Sequence, residues 1–253
     1  MLVSRAEQPY LDSQLAGVYD RGNEMPDSSL RAWAELIGSF SPVPDPAVLD
    51  VGGGTGMLAL SLIRWCGVRQ VTVADLSAAM IRQAPRDPRA RYVVADAAAL
   101  PVRSAVFDLA LLSRVVHHLP DRRQAAAGLK RALRPGGVVV IRTTVRERLD
   151  ALVYEFWPEL RPLDAARFPA QDEITADFAA AGLRLTAVRS FAQAVQPSLR
   201  AWRDAIELRP QSKFRQLTDA QFGAGLDRLS RAADAEARSA EVTERYDVLT
   251  FAA

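Results

Sequence analysis

The sequence predicts a doubly wound α/β fold built on a mostly parallel sheet of seven strands. Short apolar runs recur along the chain without the polar alternation of a half-exposed strand. Segments with helical spacing separate these runs, and a glycine-rich turn directly follows the first of them. Because strands buried on both faces need helices to cover them, this order indicates parallel strands joined by helical crossovers.

An N-terminal helical lead-in is predicted over residues 1–45. Ser28 and Ser29 are suitable helix caps. After them, apolar side chains recur at helical spacing, at Leu30, Trp33, Ile37 and Phe40. Prolines at residues 42, 44 and 46 then end the helix and extend the chain.

Residues 46–145 alternate between predicted strands and helices and form the expected cofactor-binding core. Strands are predicted at Ala47–Val51, Gln70–Ala74, Arg91–Ala95, Phe107–Leu112 and Val138–Ile141. Helices are predicted at Met57–Cys66, Ala78–Ala84 and Arg122–Leu133. The last of these helices is expected to end at Pro135-Gly136-Gly137.

Residues 146–253 are expected to complete a single domain that covers residues 1–253. A helix at Asp172–Ala181 stops at Gly182, and a strand follows at Leu183–Val195. Residues 197–240 are amphipathic and helical, and Tyr246–Phe251 is a final strand. A helical insertion this long is either a lid over a ligand or a plain cover for the end of the sheet, and the sequence leaves both open.

Composition excludes several classes of protein. The 32 basic and 30 acidic side chains leave a net charge of +2, with no clustered basic module for a nucleic acid. No segment is long and apolar enough to span a membrane, and residues 1–15 lack the apolar stretch of a secretory signal. The single cysteine, Cys66, predicts a reducing, cytoplasmic setting. We therefore expect neither a nucleic-acid nor a membrane partner, and the oligomeric state stays open.

The glycine loop at residues 52–56 is the sharpest local signal. Gly52, Gly54 and Gly56 alternate directly after a predicted strand and before a predicted helix, where a backbone can approach a ligand closely. Met57 stands where the dinucleotide fingerprint needs a third glycine, and no Gly-Lys-Ser/Thr follows as in a P-loop. The carboxylate of Asp50 disfavours a pyrophosphate and favours a ligand with an amino group.

Six motifs in order resemble the class I S-adenosylmethionine-dependent methyltransferases, most closely the branch with small-molecule and quinone methyltransferases. The resemblance covers about residues 47–145 and implies the Rossmann-like methyltransferase fold. The motifs are Asp50 to Gly56, Val73 to Ser77 with Met80, Val94 to Ala97 followed by Leu100-Pro101, Val106 to Leu109, Val116 to Asp121, and Leu133 to Gly137.

The resemblance implies S-adenosylmethionine as cofactor and S-adenosylhomocysteine as product. Gly52 and Gly54 would contact the methionine part. Asp75, which closes the second strand 23 residues after Gly52, would accept the ribose hydroxyls, a role that its position alone shares with helix capping. Leu76 and Met80 would flank the adenine, although Met80 also fits plain core packing.

The same resemblance places four more residues. Asp96 would accept a hydrogen bond from the adenine amino group, while the backbone of Ala97 meets the ring. Ser113, at the end of the fourth strand, would lie beside the sulfonium. Tyr19 in the lead-in matches an aromatic residue that folds over the cofactor in many relatives, or else belongs to the core.

The two histidines of the chain, His117 and His118, are the candidate proton acceptors. Imidazole titrates near neutral pH, which suits removal of a proton from a methyl acceptor. His117 is the better candidate to face the acceptor. His118 also fits a role in holding its loop. No metal site is predicted, because Asp121 alone does not supply the carboxylate cluster of metal-dependent catechol methylation.

The resemblance implies an acceptor side formed by residues 146–253, with a pocket built from the lead-in, Thr143 to Tyr154 and the insertion at 197–240. An anionic acceptor has candidate partners in Arg142, Arg146, Arg148, Arg200, Arg203 and Arg209. An aromatic acceptor has candidate partners in Trp157, Phe191 and Trp202. The fourth predicted strand is followed by Ser113-Arg114 and not by an Asp/Asn-Pro-Pro-aromatic signature, which disfavours amino methylation of nucleic acid bases.

These patterns predict methyl transfer to a small organic acceptor, with oxygen or nitrogen favoured over carbon and specialised metabolism as one setting. Three alternatives stay open. The first is a protein that binds the cofactor but performs a different reaction or none. The second is an oxidoreductase with a nicotinamide cofactor, and the third is an RNA-modifying enzyme. Met57 and Asp50 argue against the nicotinamide cofactor, and the near-neutral charge argues against RNA.

Overall fold

The structure is a computed structural model that describes residues 25–207 and 212–253. Its architecture confirms the predicted fold class. One seven-stranded sheet has the strand order 3-2-1-4-5-7-6. The first five strands run parallel, and the seventh pairs antiparallel with both the fifth and the sixth. The order reverses between the first and fourth strands, where open α/β sheets bind ligands at the carboxyl ends of the strands.

The bounds of the elements agree with the predicted alternation within a few residues. The strands are β1 Ala47–Val51, β2 Gln70–Asp75, β3 Ala90–Val94, β4 Phe107–Ser113, β5 Leu133–Thr143, β6 Arg184–Gln196 and β7 Val242–Ala252. The helices are α1 Asp27–Gly38, α2 Met57–Trp65, α3 Ala78–Gln83, α4 Arg122–Ala132, α5 Val153–Phe156, α6 Leu160–Arg167, α7 Gln171–Ala180, α8 Leu199–Glu207 and α9 Asp219–Asp234.

Both faces of the sheet are covered by helices, as the unbroken apolar strands predict. On one face, α4 and α7 pack against the sheet through buried residues such as Leu129 and Phe178. On the other face, α1 and α2 do so through Trp33 and Leu62. This burial on two sides explains why the central strand β4 has six buried residues in succession.

The lead-in helix begins earlier than its predicted caps. α1 starts at Asp27 after Pro26, which presents no side-chain cap, so the assignment of Ser28 and Ser29 as caps was wrong. The Ser29 hydroxyl instead donates to the carbonyl of Ala194 in β6, at 2.9 Å. A tertiary hydrogen bond thus takes the serine that local sequence assigns to capping, and it ties α1 to the edge of the sheet.

Two further elements differ from the prediction. β5 starts at Leu133 rather than Val138, because the chain pairs with β4 immediately after α4 ends. A salt bridge of 2.7 Å between Arg134 and Asp108 holds this start in place. The short helices α5 and α6 were not predicted, since the prolines at 158 and 162 obscure their periodicity.

The helical insertion, residues 197–240, joins the antiparallel neighbours β6 and β7. It contains α8, a 3₁₀ helix at Ser212–Gln216 and α9. These elements enclose an apolar cluster of their own with α5 and α6, centred on Trp157, Phe214 and Phe222. Within the described parts of the chain, no helix is both long and apolar enough to cross a membrane.

A pair of glycines in α9 gives a matched test of this packing. A Cβ on Gly225 would lie 2.0 Å from the indole nitrogen of the fully buried Trp157, whereas a Cβ on Gly223 would meet nothing within 4 Å. We expect Gly225→Ala to lower the free energy of unfolding by about 1–3 kcal/mol through overpacking. Gly223→Ala should raise it by up to about 1 kcal/mol through helix propensity. Urea denaturation measures both, and equal effects would contradict the packing of Trp157 on α9.

Candidate cofactor and acceptor site

The glycine loop has a shape that side chains would prevent. Gly52, Gly54 and Gly56 have φ angles of +70°, +58° and +82°, in the region that favours glycine. A Cβ on Gly52 would lie 2.4 Å from a methyl carbon of Val115, and one on Gly54 would lie 3.0 Å from the methyl carbon of Met80. The loop therefore has no room for a side chain at Gly52 or Gly54 and presents only its backbone there.

Asp75 holds the glycine loop from the neighbouring strand. Its Oδ2 accepts from the Gly54 backbone N–H and its Oδ1 from the Ser77 N–H, each at 2.8 Å. Burial raises the pKa of Asp75, and these two backbone hydrogen bonds partly counter that rise. Each carboxylate oxygen keeps a further lone pair for a ligand hydroxyl.

Asp50 is a buried carboxylate beneath the same loop. The residue is 1% exposed, and no described group lies within hydrogen-bond distance of its Oδ1. Burial, with the nearby Asp75 charge, raises the pKa of Asp50 to about 7. A buried polar atom without a partner is uncommon in folded proteins, and a bound ligand is one of its ordinary explanations.

The residues expected around an adenine follow the ends of β2 and β3. Leu76 exposes 44% of its surface, whereas Met80 is buried beneath the loop. Asp96 is exposed and accepts at 2.9 Å from the N–H of Ala98, which caps the 3₁₀ helix at Ala97–Ala99. The structure thus brings these residues to adjacent strand ends, beside the glycine loop.

A cavity that opens to solvent, with about 960 Å³ of empty space including that open part, extends from the glycine loop to residues of β6, β7 and α8. Its apolar lining includes Met25, Met57, Leu58, Val195, Trp202 and Ile206. A polar wall, which we define as Ser113, Arg142, Gln193, Glu244 and Tyr246, faces the loop across this space. Only Ser113 and Arg142 of this wall were among the residues that the sequence singled out.

The polar wall is built around the guanidinium of Arg142. This side chain is 3% exposed, and its guanidinium lies over both the Trp33 and the Tyr246 ring, at 4.5 and 4.0 Å from their centroids. It donates to the Ser113 hydroxyl at 3.1 Å and to the Gln193 Oε1 at 2.6 Å. Rings and hydrogen bonds together fix a desolvated cation beside the cavity.

Glu244 and Tyr246 form the other half of the polar wall. The Tyr246 hydroxyl donates to the Glu244 carboxylate. Burial and the adjacent Glu244 raise the pKa of Tyr246 to about 12. Burial opposes ionisation of Glu244, but Lys213, the Tyr246 hydrogen bond and two arginines outweigh it and lower its pKa. At neutral pH Glu244 is therefore a carboxylate and Tyr246 a phenol.

The structure does not bring the two histidines to the cavity. They lie in a 3₁₀ helix at Val116–His118, where the His117 ring packs 4.5 Å from the Phe168 ring. The Arg167 guanidinium lies 2.9 Å from a ring nitrogen of His118. Burial and nearby positive charge lower the pKa of His118 to about 3 and that of His117 well below its ordinary value. The geometry favours a packing role, and proton removal by these residues stays a prediction.

The other candidates for the acceptor pocket are dispersed. Among the five described arginines of the predicted set, Arg142 alone lines the cavity. The others form ion pairs, namely Arg146–Glu173, Arg148–Asp247, Arg200–Asp234 and Arg203–Asp204. Trp202 lines the cavity, whereas Trp157 and Phe191 pack in apolar clusters. Tyr19 and Arg209 lie outside the described residues.

Sequence comparison decides the family. Residues 49–141 match a family model described as a methyltransferase domain. The chain is also 30% identical over 185 residues to the ubiquinone/menaquinone biosynthesis C-methyltransferase UbiE of Acidiphilium cryptum (strain JF-5), a match that covers 68% of this chain and 73% of that protein. The chain belongs to the class I S-adenosylmethionine-dependent methyltransferases.

Two further comparisons place the methyltransferase among its relatives. It is 38% identical over 158 residues to malonyl-[acyl-carrier protein] O-methyltransferase of Pseudescherichia vulneris, covering 62% of this chain and 61% of that protein. It shares its fold with phosphoethanolamine N-methyltransferase 2 of Haemonchus contortus, with a TM-score of 0.62 and 18% identity, covering 99% of this chain and 60% of the other. The chain thus spans about three-fifths of the length of these two proteins.

The glycine loop fits S-adenosylmethionine, the methyl donor of this family. Gly52 and Gly54 line the cavity with backbone atoms alone, since a Cβ on either would meet the side chain of Val115 or Met80. The Asp50 Oδ1 lacks a described partner, and the methionine moiety of the cofactor carries an amino group that can donate to it. These matches confirm the resemblance that the six sequence motifs indicated.

Proposed function

We propose that the protein transfers the methyl group of S-adenosylmethionine to a small organic acceptor held against the polar wall, at an oxygen or nitrogen atom. The observation that carries the proposal is one continuous cavity that both the glycine loop and the polar wall line. A cofactor on the loop and an acceptor on the wall would then share one partly enclosed space.

The cofactor-binding residues in this proposal all lie at the carboxyl ends of the parallel strands. Gly52 and Gly54 would contact the methionine part, Asp50 would accept from its amino group, and Asp75 would accept from the ribose hydroxyls. The adenine side is formed by Leu76, Met80, Asp96 and Ala97. Such a clustering at the switch point of the strand order is where open α/β sheets bind their ligands.

When bound, the cofactor supplies an activated methyl group on a sulfonium. What the chain contributes is mainly positioning, since an in-line displacement gains most from holding the reacting atoms in register. Ser113, fixed by Arg142, presents its hydroxyl at the end of β4 beside the loop. Trp202 and Ile206 of α8 cover the apolar side and reduce the access of water.

Oxygen or nitrogen is favoured because such acceptors carry a lone pair and need the least activation by the protein. The names of the two relatives, an O-methyltransferase and a C-methyltransferase, support methyl transfer without choosing between these atoms.

Calorimetric titration with S-adenosylmethionine and S-adenosylhomocysteine tests the cofactor site. We expect micromolar binding of both, with release of S-adenosylhomocysteine when a fitting acceptor is added. Binding without product release across a broad acceptor panel would favour a different reaction. Binding of NADH would favour a nicotinamide-dependent oxidoreductase, and binding of RNA that falls steeply with salt would favour an RNA-modifying enzyme.

The histidines give a separate test. His117→Phe keeps an aromatic ring against Phe168 while removing both ring nitrogens. Because the low pKa of His117 leaves it a poor proton acceptor, we expect cofactor affinity and the pH profile of turnover to be unchanged. A loss of more than about tenfold in kcat, in a variant of unchanged thermal stability, would restore the histidine as the base.

A further inference from the structure

The amide of Gln193 has only one chemically possible orientation. Its Oε1 accepts from the Trp33 indole N–H at 2.8 Å and from the Arg142 guanidinium at 2.6 Å. Indole and guanidinium nitrogens only donate, so the atom that faces them is the oxygen. The NH₂ group of Gln193 therefore points away from both, and no described residue accepts a hydrogen bond from it.

Gln193 keeps these two donors at the edge of the cavity. The residue is 4% exposed and lines the cavity. Its NH₂ nitrogen is not among the buried side-chain atoms of the described residues that lack a partner, so it is open to the cavity. An acceptor atom brought by a ligand can therefore reach it, and the cation of Arg142 bonded to the same amide makes the NH₂ group a stronger donor.

Glu244 stands directly beside this donor. Gln193 and Glu244 are register partners of the antiparallel pair β6–β7, so their side chains leave the same face of the sheet about 5 Å apart. Both line the cavity. Because Glu244 is ionised, it can only accept hydrogen bonds. One oriented donor and one oriented acceptor therefore lie side by side opposite the glycine loop.

We propose that Gln193 and Glu244 determine acceptor specificity by binding a carbonyl oxygen and an adjacent hydroxyl, respectively, so that the acceptor belongs to the class of hydroxycarbonyl compounds. A carbonyl oxygen satisfies the Gln193 donor. A neighbouring O–H satisfies Glu244, which would repel a second anionic oxygen. This inference rests on the proposed function, since it describes the acceptor of that reaction.

Binding of matched compounds tests the proposal. The S-adenosylhomocysteine-loaded protein is titrated with hydroxyketones, with ketones that lack the hydroxyl and with alcohols that lack the ketone. Tryptophan fluorescence provides the readout, because Trp33 bonds Gln193 and Trp202 lines the cavity. We expect hydroxyketones to bind at least about tenfold more tightly than either partial analogue.

Two near-isosteric variants separate the roles. Gln193→Glu keeps the oxygen that Trp33 and Arg142 bind and replaces the donor by an anionic oxygen. We expect it to weaken ketones and hydroxyketones at least about tenfold. Glu244→Gln should weaken hydroxyketones similarly while ketones keep their affinity. Gln221→Glu is the control, because it makes the same change in the capping box of α9, where glutamate caps equally well.

The outcomes distinguish this inference from the proposed function. Retained S-adenosylhomocysteine binding with hydroxyketones that bind no better than ketones or alcohols would overturn the inference alone. Equal losses for every compound in both variants, or losses matched by Gln221→Glu, would also overturn it. Failure of the unaltered protein to bind S-adenosylhomocysteine would remove the proposed function, and the inference with it.

Discussion

Replacing Asp50 by asparagine is expected to stabilise the ligand-free protein above neutral pH and to weaken its affinity for the cofactor. The pKa of Asp50 is raised from 3.8 to about 7, chiefly because burial disfavours the charged form. The folded state therefore holds this proton more tightly than the unfolded state. Folding loses stability as the pH rises from about 4 to 7, and the accumulated cost is about 4 kcal/mol.

Asparagine has the shape of the protonated carboxyl and no charge to bury. The stabilising effect of Asp50→Asn should therefore be small at pH 4 and reach several kcal/mol, up to about 4, at pH 8. Thermal or urea denaturation across this range measures it. Asp227→Asn, at an exposed position of α9, is the matched control for the substitution itself.

The same substitution should have the opposite effect on the cofactor. An ionised Asp50 attracts the cationic amino group of the cofactor, so the affinity of the unaltered protein should rise with pH through about 7. Asp50→Asn should bind more weakly and lose that pH dependence. The low pKa values of both histidines exclude them as its source. A variant that is destabilised at pH 8, or that binds the cofactor as tightly, would contradict the burial of an unpartnered carboxylate here.

Replacing Asp75 by alanine is expected to weaken cofactor binding by at least about tenfold. Hydrogen bonds to a charged group are worth about 1.5–3 kcal/mol, and the proposed contact with the ribose uses this carboxylate. The variant also loses the two backbone hydrogen bonds that hold Gly54 and Ser77, so the glycine loop should lose some of its preorganised shape.

Calorimetry with S-adenosylhomocysteine measures this loss, and Asp227→Ala serves as its control because that carboxylate is exposed on α9. Asp75→Asn refines the test, since it keeps an oxygen for one backbone N–H but removes the charge. We expect its affinity to fall between those of the unaltered protein and Asp75→Ala. An unchanged dissociation constant in Asp75→Ala would contradict the proposed position of the ribose at the end of β2.

Local sequence was sufficient for the parts of the site that depend on one strand and the turn after it. The glycine loop, Asp75 and Asp96 each lie at or just after the carboxyl end of a parallel strand, and such strand ends meet at one edge of a sheet. The positive φ angles of Gly52 and Gly54 are a property that the residue type itself predicts.

Local sequence was not sufficient for most of the polar wall on the acceptor side. Gln193, Glu244 and Tyr246 lie on the antiparallel strands β6 and β7, which the chain joins through a 45-residue connection, 197–241. Their register sets which side chains face each other, and nothing local specifies it. A signal was available for two residues of the polar wall, because Ser113 and Arg142 each come at the end of an apolar run, in β4 and β5. In the sheet these two residues are register partners.

The sequence by itself determined the alternation of elements, the family and the conformation of the glycine loop, because these depend on periodicity, residue type and ordered short motifs. Only the tertiary structure decided that the histidines pack away from the cavity and that Arg142, Gln193 and Glu244 line it. Burial and long-range pairing set those environments. They also set the pKa of Asp50 and the direction of the Gln193 amide, which residues distant in the chain control.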